Sequence, residues 1–194
     1  MKHKGLLVVI SSPSGGGKDS VTRALIKKIP DSIRCLTTTS RPPRPGNIEG
    51  VDYHFVSESE FKEKISRGEF VEHNKYAGNY YGTEKAALDQ ALSNHEVVYS
   101  QVELHGKRSF DRLHIPHLAI FLMPESIEVL RDRIVARGGL TREEVEERLE
   151  IAQKEIGEAN TYDLQIVNEQ GKFEETVDNL VDAITKARRR LSVS

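Results

Sequence analysis

Four short apolar runs punctuate the chain: LLVVI (6–10), VVY (97–99), LAIFL (118–122) and LQIV (164–167). They are near-continuous rather than alternating, the pattern of strands covered on both faces, as in a parallel sheet. IRCLT (33–37) is a weaker fifth strand candidate. Between these runs the apolar positions recur at helical spacing. Val21, Ala24, Leu25 and Ile29 share one face, as do Ile127, Leu130 and Ile134. So do Val145, Leu149, Ala152 and Ile156, and then Phe173, Val177, Leu180, Val181 and Ile184. Strands alternating with helices predict an α/β fold with a doubly wound core, a parallel sheet flanked by helices.

Residues 38–82 break this rhythm, being rich in Arg, Pro, Gly and Tyr. They hold short alternating pieces, VDYHFV and EFVEH, and one short helix opened by a capping box of Ser57 and Glu60. The segment reads as a small mixed subdomain inserted between core elements. A second interruption, ARGGLTREEVEERL, sets two glycines before a capping box of Thr141 and Glu144 and reads as a lid with a glycine hinge.

Composition narrows the classes. A chain of 194 residues supports one sizeable core with small insertions. A formal net charge of −2 gives no electrostatic case for a nucleic-acid or membrane partner. The lone Cys35 excludes an internal disulfide framework, reads as a small buried apolar group and suits a reducing compartment. The opening MKHKGLLVVI is cut off by SSPSGGG, too early for a signal peptide, and no run reaches membrane-spanning length, so a cytoplasmic location is expected. His114 and His117 flank Pro116, which spoils a helical ligand pair, and both are expected at the surface.

The chemistry begins at SSPSGGGKDS, residues 11–20. A strand runs into it and a helix runs out of it. Backbone N–H groups of such a turn form an anion nest at the positive end of the helix, and Lys18 would reach terminal phosphates. Gly15, Gly16 and Gly17 permit close phosphate approach. RPPRPG then places Arg41 and Arg44 three apart in a proline-braced loop. Alone this is a solvated basic loop; beside a phosphate-binding loop it suits a second phosphate, gripped bidentately.

SPSGGGK, TTSRPPRPG, GVDYHFV, EFVEH, GNYYGT, RDRIVARGG, EVEERL and DLQIVNE together resemble the guanylate kinase family over nearly the whole chain. That resemblance implies a P-loop kinase core with an inserted nucleoside-monophosphate-binding subdomain and a helical lid. The core would span 1–36, 85–137 and 151–194, the acceptor subdomain 37–84 and the lid 138–150. It implies phosphorylation of GMP, and of dGMP, by ATP with Mg2+, on small-molecule nucleotide partners. Arg41, Arg44, Tyr53 and Tyr81 match the clamp on the acceptor phosphate. Glu72 matches the carboxylate that reads guanine, and Thr37 and Thr83 match hydroxyls lining that pocket. Arg133, Arg137 and Arg148 match lid-side arginines over the transferring group, joining Lys18 and Arg41 as catalytic residues. Ser12, Pro13, Ser14, Gly15, Gly16, Gly17, Lys18, Asp19, Ser20 and Asn168 would bind ATP.

Three departures from the family pattern stand out. Ser12 replaces a glycine where a small residue suffices. Asp19 replaces the hydroxyl that ligates magnesium, and Ser20 cannot substitute because one helical position turns a side chain by roughly 100°. Gln101 and Glu103 stand where the family has two aspartates near the metal and the guanine. The number of carboxylates is thereby kept, and Asp19 with Glu103 is the expected metal pair, with Glu103 also bordering the acceptor. Two alternatives remain from the residues: a kinase of a small phosphorylated acceptor such as ribose bisphosphate, whose loops share the Gly-Lys-Asp-Ser ending, and a non-catalytic binding module of the guanylate kinase-like type.

Overall fold

The computed structural model describes residues 5–76, 78–136 and 138–191. Its core is a five-stranded sheet in the order β2-β7-β1-β8-β9, every pairing parallel. These strands are β1 (Leu6–Ser11), β2 (Ser32–Arg34), β7 (Val97–Gln101), β8 (Leu118–Pro124) and β9 (Leu164–Asn168). Alternation explains the continuous apolar runs. In β1, Leu6, Val8 and Ile10 face one layer, with Val21 and Leu25 of α1 (Lys18–Lys28) and Val177, Leu180 and Ile184 of α7 (Phe173–Leu191). Leu7 and Val9 face the other, with Leu88 and Leu92 of α3 (Lys85–Asn94) and Phe110 of α4 (Leu104–Arg112). Successive side chains point to opposite faces, so a strand with helices on both sides has no polar position to offer.

The weaker candidate IRCLT divides between two sheets. Ile33 and Arg34 pair with β7, and the Cys35 N–H still donates to the Tyr99 carbonyl at 2.8 Å. The chain then crosses into a four-stranded sheet, order β4-β3-β6-β5, built from β3 (Thr38–Thr39), β4 (His54–Phe55), β5 (Phe70–Tyr76) and β6 (Asn79–Glu84). The strands by which it leaves and returns are neighbours. Thr38 lies opposite Gly82, and its hydroxyl donates to Glu84 at 2.6 Å. Helix α2 (Glu58–Ser66) covers this sheet through Phe61, which stacks on Phe70 with ring centroids 4.4 Å apart and an interplanar angle of 17°.

Both capping boxes form. Ser57 and Glu60 open α2, and Thr141 and Glu144 open α6 (Arg142–Gly157), each satisfying two backbone donors reciprocally. Helix α6 packs on α5 (Ile127–Ala136) through Leu130, Ile134, Val145, Leu149 and Ala152. His117 departs from the surface placement expected of it: its side chain is 8% exposed and its ring lies 5.9 Å from that of Phe110. Among the described residues no helix is long and apolar enough to cross a membrane.

Candidate active site

The turn between β1 and α1 is tightly determined. Gly17 is the N-cap of α1 with φ 94°, and no side chain caps that end. The first N–H groups of the helix therefore lack a side-chain acceptor and suit an anion. A Cβ on Gly17 would lie 2.5 Å from the Asn168 amide nitrogen, and one on Gly16 would lie 2.5 Å from the Ser12 hydroxyl. Ser12 at the departing first position is thus accommodated because Gly16 yields the space. The Lys18 ammonium donates to the Ser12 carbonyl at 2.7 Å, folded back along the loop it would serve.

Arginines and an asparagine close around the turn. Asn168, buried at the end of β9, donates to the Gly16 carbonyl at 3.0 Å, and Arg133 of α5 donates to the Asn168 carbonyl at 3.2 Å. Arg148 of α6 reaches the Ser14 hydroxyl at 3.4 Å. Arg137 lies outside the described residues. One cavity of about 260 Å³ is lined by the loop from Ser12 to Asp19 together with Glu103, Arg148 and Glu155. A second, beside Gly15, Gly17 and Ser20, is lined by Arg133, Asn168 and Phe173.

The altered loop and strand meet here. Asp19 is exposed in the first turn of α1. Gln101, at the end of β7, directs its amide to the Lys18 carbonyl at 3.0 Å and the Thr22 hydroxyl at 2.8 Å, so it fastens α1 to the sheet. Glu155 adds a carboxylate that sequence reasoning did not single out. Burial pushes it up to about 7, opposed by Lys18 and reinforced by Glu103. Among the described residues no group of three His, Cys, Asp or Glu could hold a metal alone. Asp19 and Glu103 both line one cavity and are oxygen donors, the ligand type of magnesium, which takes one or two carboxylates and completes its shell with phosphate oxygens and water.

The second sheet presents a different face. In the β5–β6 hairpin Glu72 lies opposite Thr83 and Asn74 opposite Tyr81. The Thr83 hydroxyl donates to Glu72 at 2.7 Å. Burial pushes the Glu72 carboxyl up to about 7, Thr83 opposes the shift and the Glu103 charge adds to it. Arg41 stands 5.4 Å from the Tyr53 ring centroid, and the Tyr53 and Tyr81 rings meet edge-on at 6.2 Å. Asn47 ties this loop together, its carbonyl accepting from the Arg41 guanidinium and from the Arg44 N–H, both at 3.0 Å. Arg44 itself is exposed. Thr37 contributes its carbonyl to the His54 N–H at 2.9 Å. The structure thus gathers Arg41, Tyr53 and Tyr81 into one cluster and Glu72 with Thr83 into another.

The family profile described as guanylate kinase matches residues 4–187. The chain belongs to the guanylate kinase family. It is 40% identical over 165 residues to a guanylate kinase of Nostoc sp., covering 85% of this chain and 83% of that protein. It is 36% identical over 191 residues to one of Coxiella burnetii, covering 98% of this chain and 92% of that protein. A crystal structure of guanylate kinase from Anaplasma phagocytophilum superposes with a TM-score of 0.74 at 30% identity, over 97% of this chain and 88% of that one. A shikimate kinase from Bacteroides thetaiotaomicron shares the fold alone, with a TM-score of 0.52 at 13% identity.

Proposed function

We propose that this guanylate kinase family member transfers the terminal phosphoryl group of ATP to GMP, or to dGMP, giving ADP and the guanine nucleoside diphosphate. The observation that carries the acceptor choice is the Glu72–Thr83 pair on a face bordered by Glu103. Guanine offers two adjacent donors, its ring N–H and its exocyclic amine. An ionised carboxylate accepts both, and the Thr83 hydroxyl holds one of its oxygens in place. Adenine offers a ring acceptor at that position and would face the carboxylate lone pairs.

The remaining roles rest on placement. The Ser12–Ser20 loop would cradle the donor phosphates, with Asn168 and Arg133 supporting it. Residues 37–84 would form the acceptor subdomain, where Arg41, Arg44, Tyr53 and Tyr81 grip the acceptor phosphate and Thr37 lines the pocket. Lys18, Arg41, Arg133 and Arg148 would stabilise charge on the migrating group, and Arg137 is assigned by its motif position. The transition state is loose, so orientation and charge stabilisation provide most of the rate. The attacking group is already an anionic phosphate oxygen, and no side chain need remove a proton. Asp19 and Glu103 would hold magnesium, which neutralises the donor's phosphate oxygens. Residues 138–150, closing with α6, would exclude water. The single buried thiol accords with a cytoplasmic setting.

The bisphosphate alternative is disfavoured because Glu72 and Glu103 would repel a second phosphate. A non-catalytic module is disfavoured because Lys18 and its nest are intact. A coupled assay with ATP and magnesium across GMP, dGMP, AMP, UMP and ribose bisphosphate tests the reading. Turnover should be highest with a guanine nucleotide; no turnover with any nucleoside monophosphate would refute it.

A further inference from the structure

Glu103 is the N-cap of α4, with extended backbone angles of φ −83° and ψ 172°, yet its carboxylate makes no capping bond to its own helix. It accepts instead from the Asn74 side-chain amide at 2.8 Å, across 29 residues of sequence, joining β5 of the smaller sheet to the start of α4. The Asn74 carbonyl is engaged by the Lys75 N–H at 2.8 Å, which orients the amide nitrogen toward Glu103. Glu72, two residues earlier on β5 and so on the same face, approaches the same helix: a Cβ on Gly106 would lie 3.2 Å from the Glu72 carboxylate. Strand β5 therefore lies along the first turn of α4, and the Asn74–Glu103 bond is a polar tie across that seam.

Glu103 also borders the cavity formed by Lys18 and the glycine loop. Its charge is felt by Glu72 on one side and by Glu155 on the other. A carboxylate left loose in that position could turn toward either, and like charges facing each other are unfavourable. A neutral donor that fixes it relieves this.

We propose that Asn74 is a positioning residue for the acceptor: its amide clasps Glu103, fastening the four-stranded sheet to the core and holding that carboxylate on the border between the two sites. This rests on the ATP–GMP reading above for its consequence on catalysis, while the clasp itself is a contact between two protein side chains. Removing the amide leaves the chemistry at Lys18 intact and loosens the pocket that must hold the acceptor. Replacing it by a carboxylate does more, because a like charge then faces Glu103.

The test has two arms. The first is a double-mutant cycle of Asn74→Ala and Glu103→Ala, measured as GMP KM and kcat at saturating ATP. Asn74→Ala should raise GMP KM roughly 3–10-fold, as for one partly exposed bond to a carboxylate, and change kcat by less than about twofold. The two losses in acceptor KM should be less than additive. The second arm is amide hydrogen exchange on the nucleotide-free protein. Asn74→Asp should speed exchange in β5, β6 and the first turn of α4 while β1 and β7 keep their protection. An unchanged GMP KM in Asn74→Ala, losses that simply add, or unchanged exchange in Asn74→Asp overturns the clasp. A wild-type protein that turns over no GMP sinks the functional reading, and the exchange arm still decides the clasp.

Discussion

Glu72 does two opposed things as a residue. Burial lifts its carboxyl from an ordinary 4.5 to about 7, so folding favours the protonated form, while the proposed reading of guanine requires the ionised one. The sign for stability follows from linkage. A group whose pKa is raised on folding leaves stability whole below its unfolded value and takes stability away as pH climbs through the folded value. Glu72→Gln, close in shape and always neutral, removes that loss. The variant should therefore gain stability relative to wild type as pH rises from about 4.5 to about 7, with no further gain above, in urea unfolding series. Glu155 titrates in the same range but is common to both proteins and cancels in the difference. Acceptor affinity moves oppositely: wild-type binding of GMP should strengthen as the carboxyl ionises, and the Gln variant should lose that dependence. Discrimination of GMP over AMP should drop by about 1–3 kcal/mol, because an amide cannot accept both guanine donors. Undiminished discrimination would place guanine recognition elsewhere.

At the scale of elements, β7 meets α1 through Gln101. Gln101 fastens the first turn of α1 through the Lys18 carbonyl and Thr22 hydroxyl, while Asp19 on that same turn carries the charge the strand lacks. Gln101→Asp alone removes two amide donations and adds a carboxylate at the end of β7 to the proposed metal pair of Asp19 and Glu103. Asp19→Ser alone leaves the wall one charge short. The double variant restores the count, so the magnesium dependence of turnover should be non-additive, with a coupling of about 1–3 kcal/mol. Manganese binding followed by its paramagnetic signal, without turnover, gives a second readout. Additive losses would make Asp19 a charge partner of the helix N-terminus and nothing more. How legible such elements were depended on what their buried faces contain. The runs around Val8, Val98 and Ile120 announced themselves because both faces of those strands are covered. Helix α4 did not, since its buried face includes Gly106 and Lys107 beside Leu104 and Phe110, which breaks the apolar period. IRCLT looked like one strand because nothing local marks the place where a chain changes sheets. The glycine loop, Arg41, Tyr53, Tyr81 and Glu72 were readable from motifs, whereas Asn47, Asn74 and Glu155 owe their positions to contacts that only the folded chain creates.

For the whole molecule, the glycine loop of the core and the Glu72 face of the smaller sheet both border Glu103 at the start of α4, as the proposed donor and acceptor sites. A single ligand that fills both should stabilise more than either half alone. Adenosine and guanosine joined through a polyphosphate, at about 100 times its Kd, should add roughly 2.7 kcal/mol and raise Tm by about 5–11 °C. The matched analogue with two adenosines, at the same concentration, should give a distinctly smaller shift in a thermal scan. Equal shifts would show that the second site does not distinguish the bases.

The chain leaves the core and comes back through adjacent strands, Thr38 beside Gly82. The excursion therefore has its exit and its return side by side, rests on the core along β5 and α4, and keeps its own packed aromatic stack in Phe61, Phe70 and Tyr80. In evolutionary terms it is a cassette. A lineage could rewrite what the cassette recognises while inheriting the phosphate machinery untouched, provided the residue opposite Glu103 was rewritten in step.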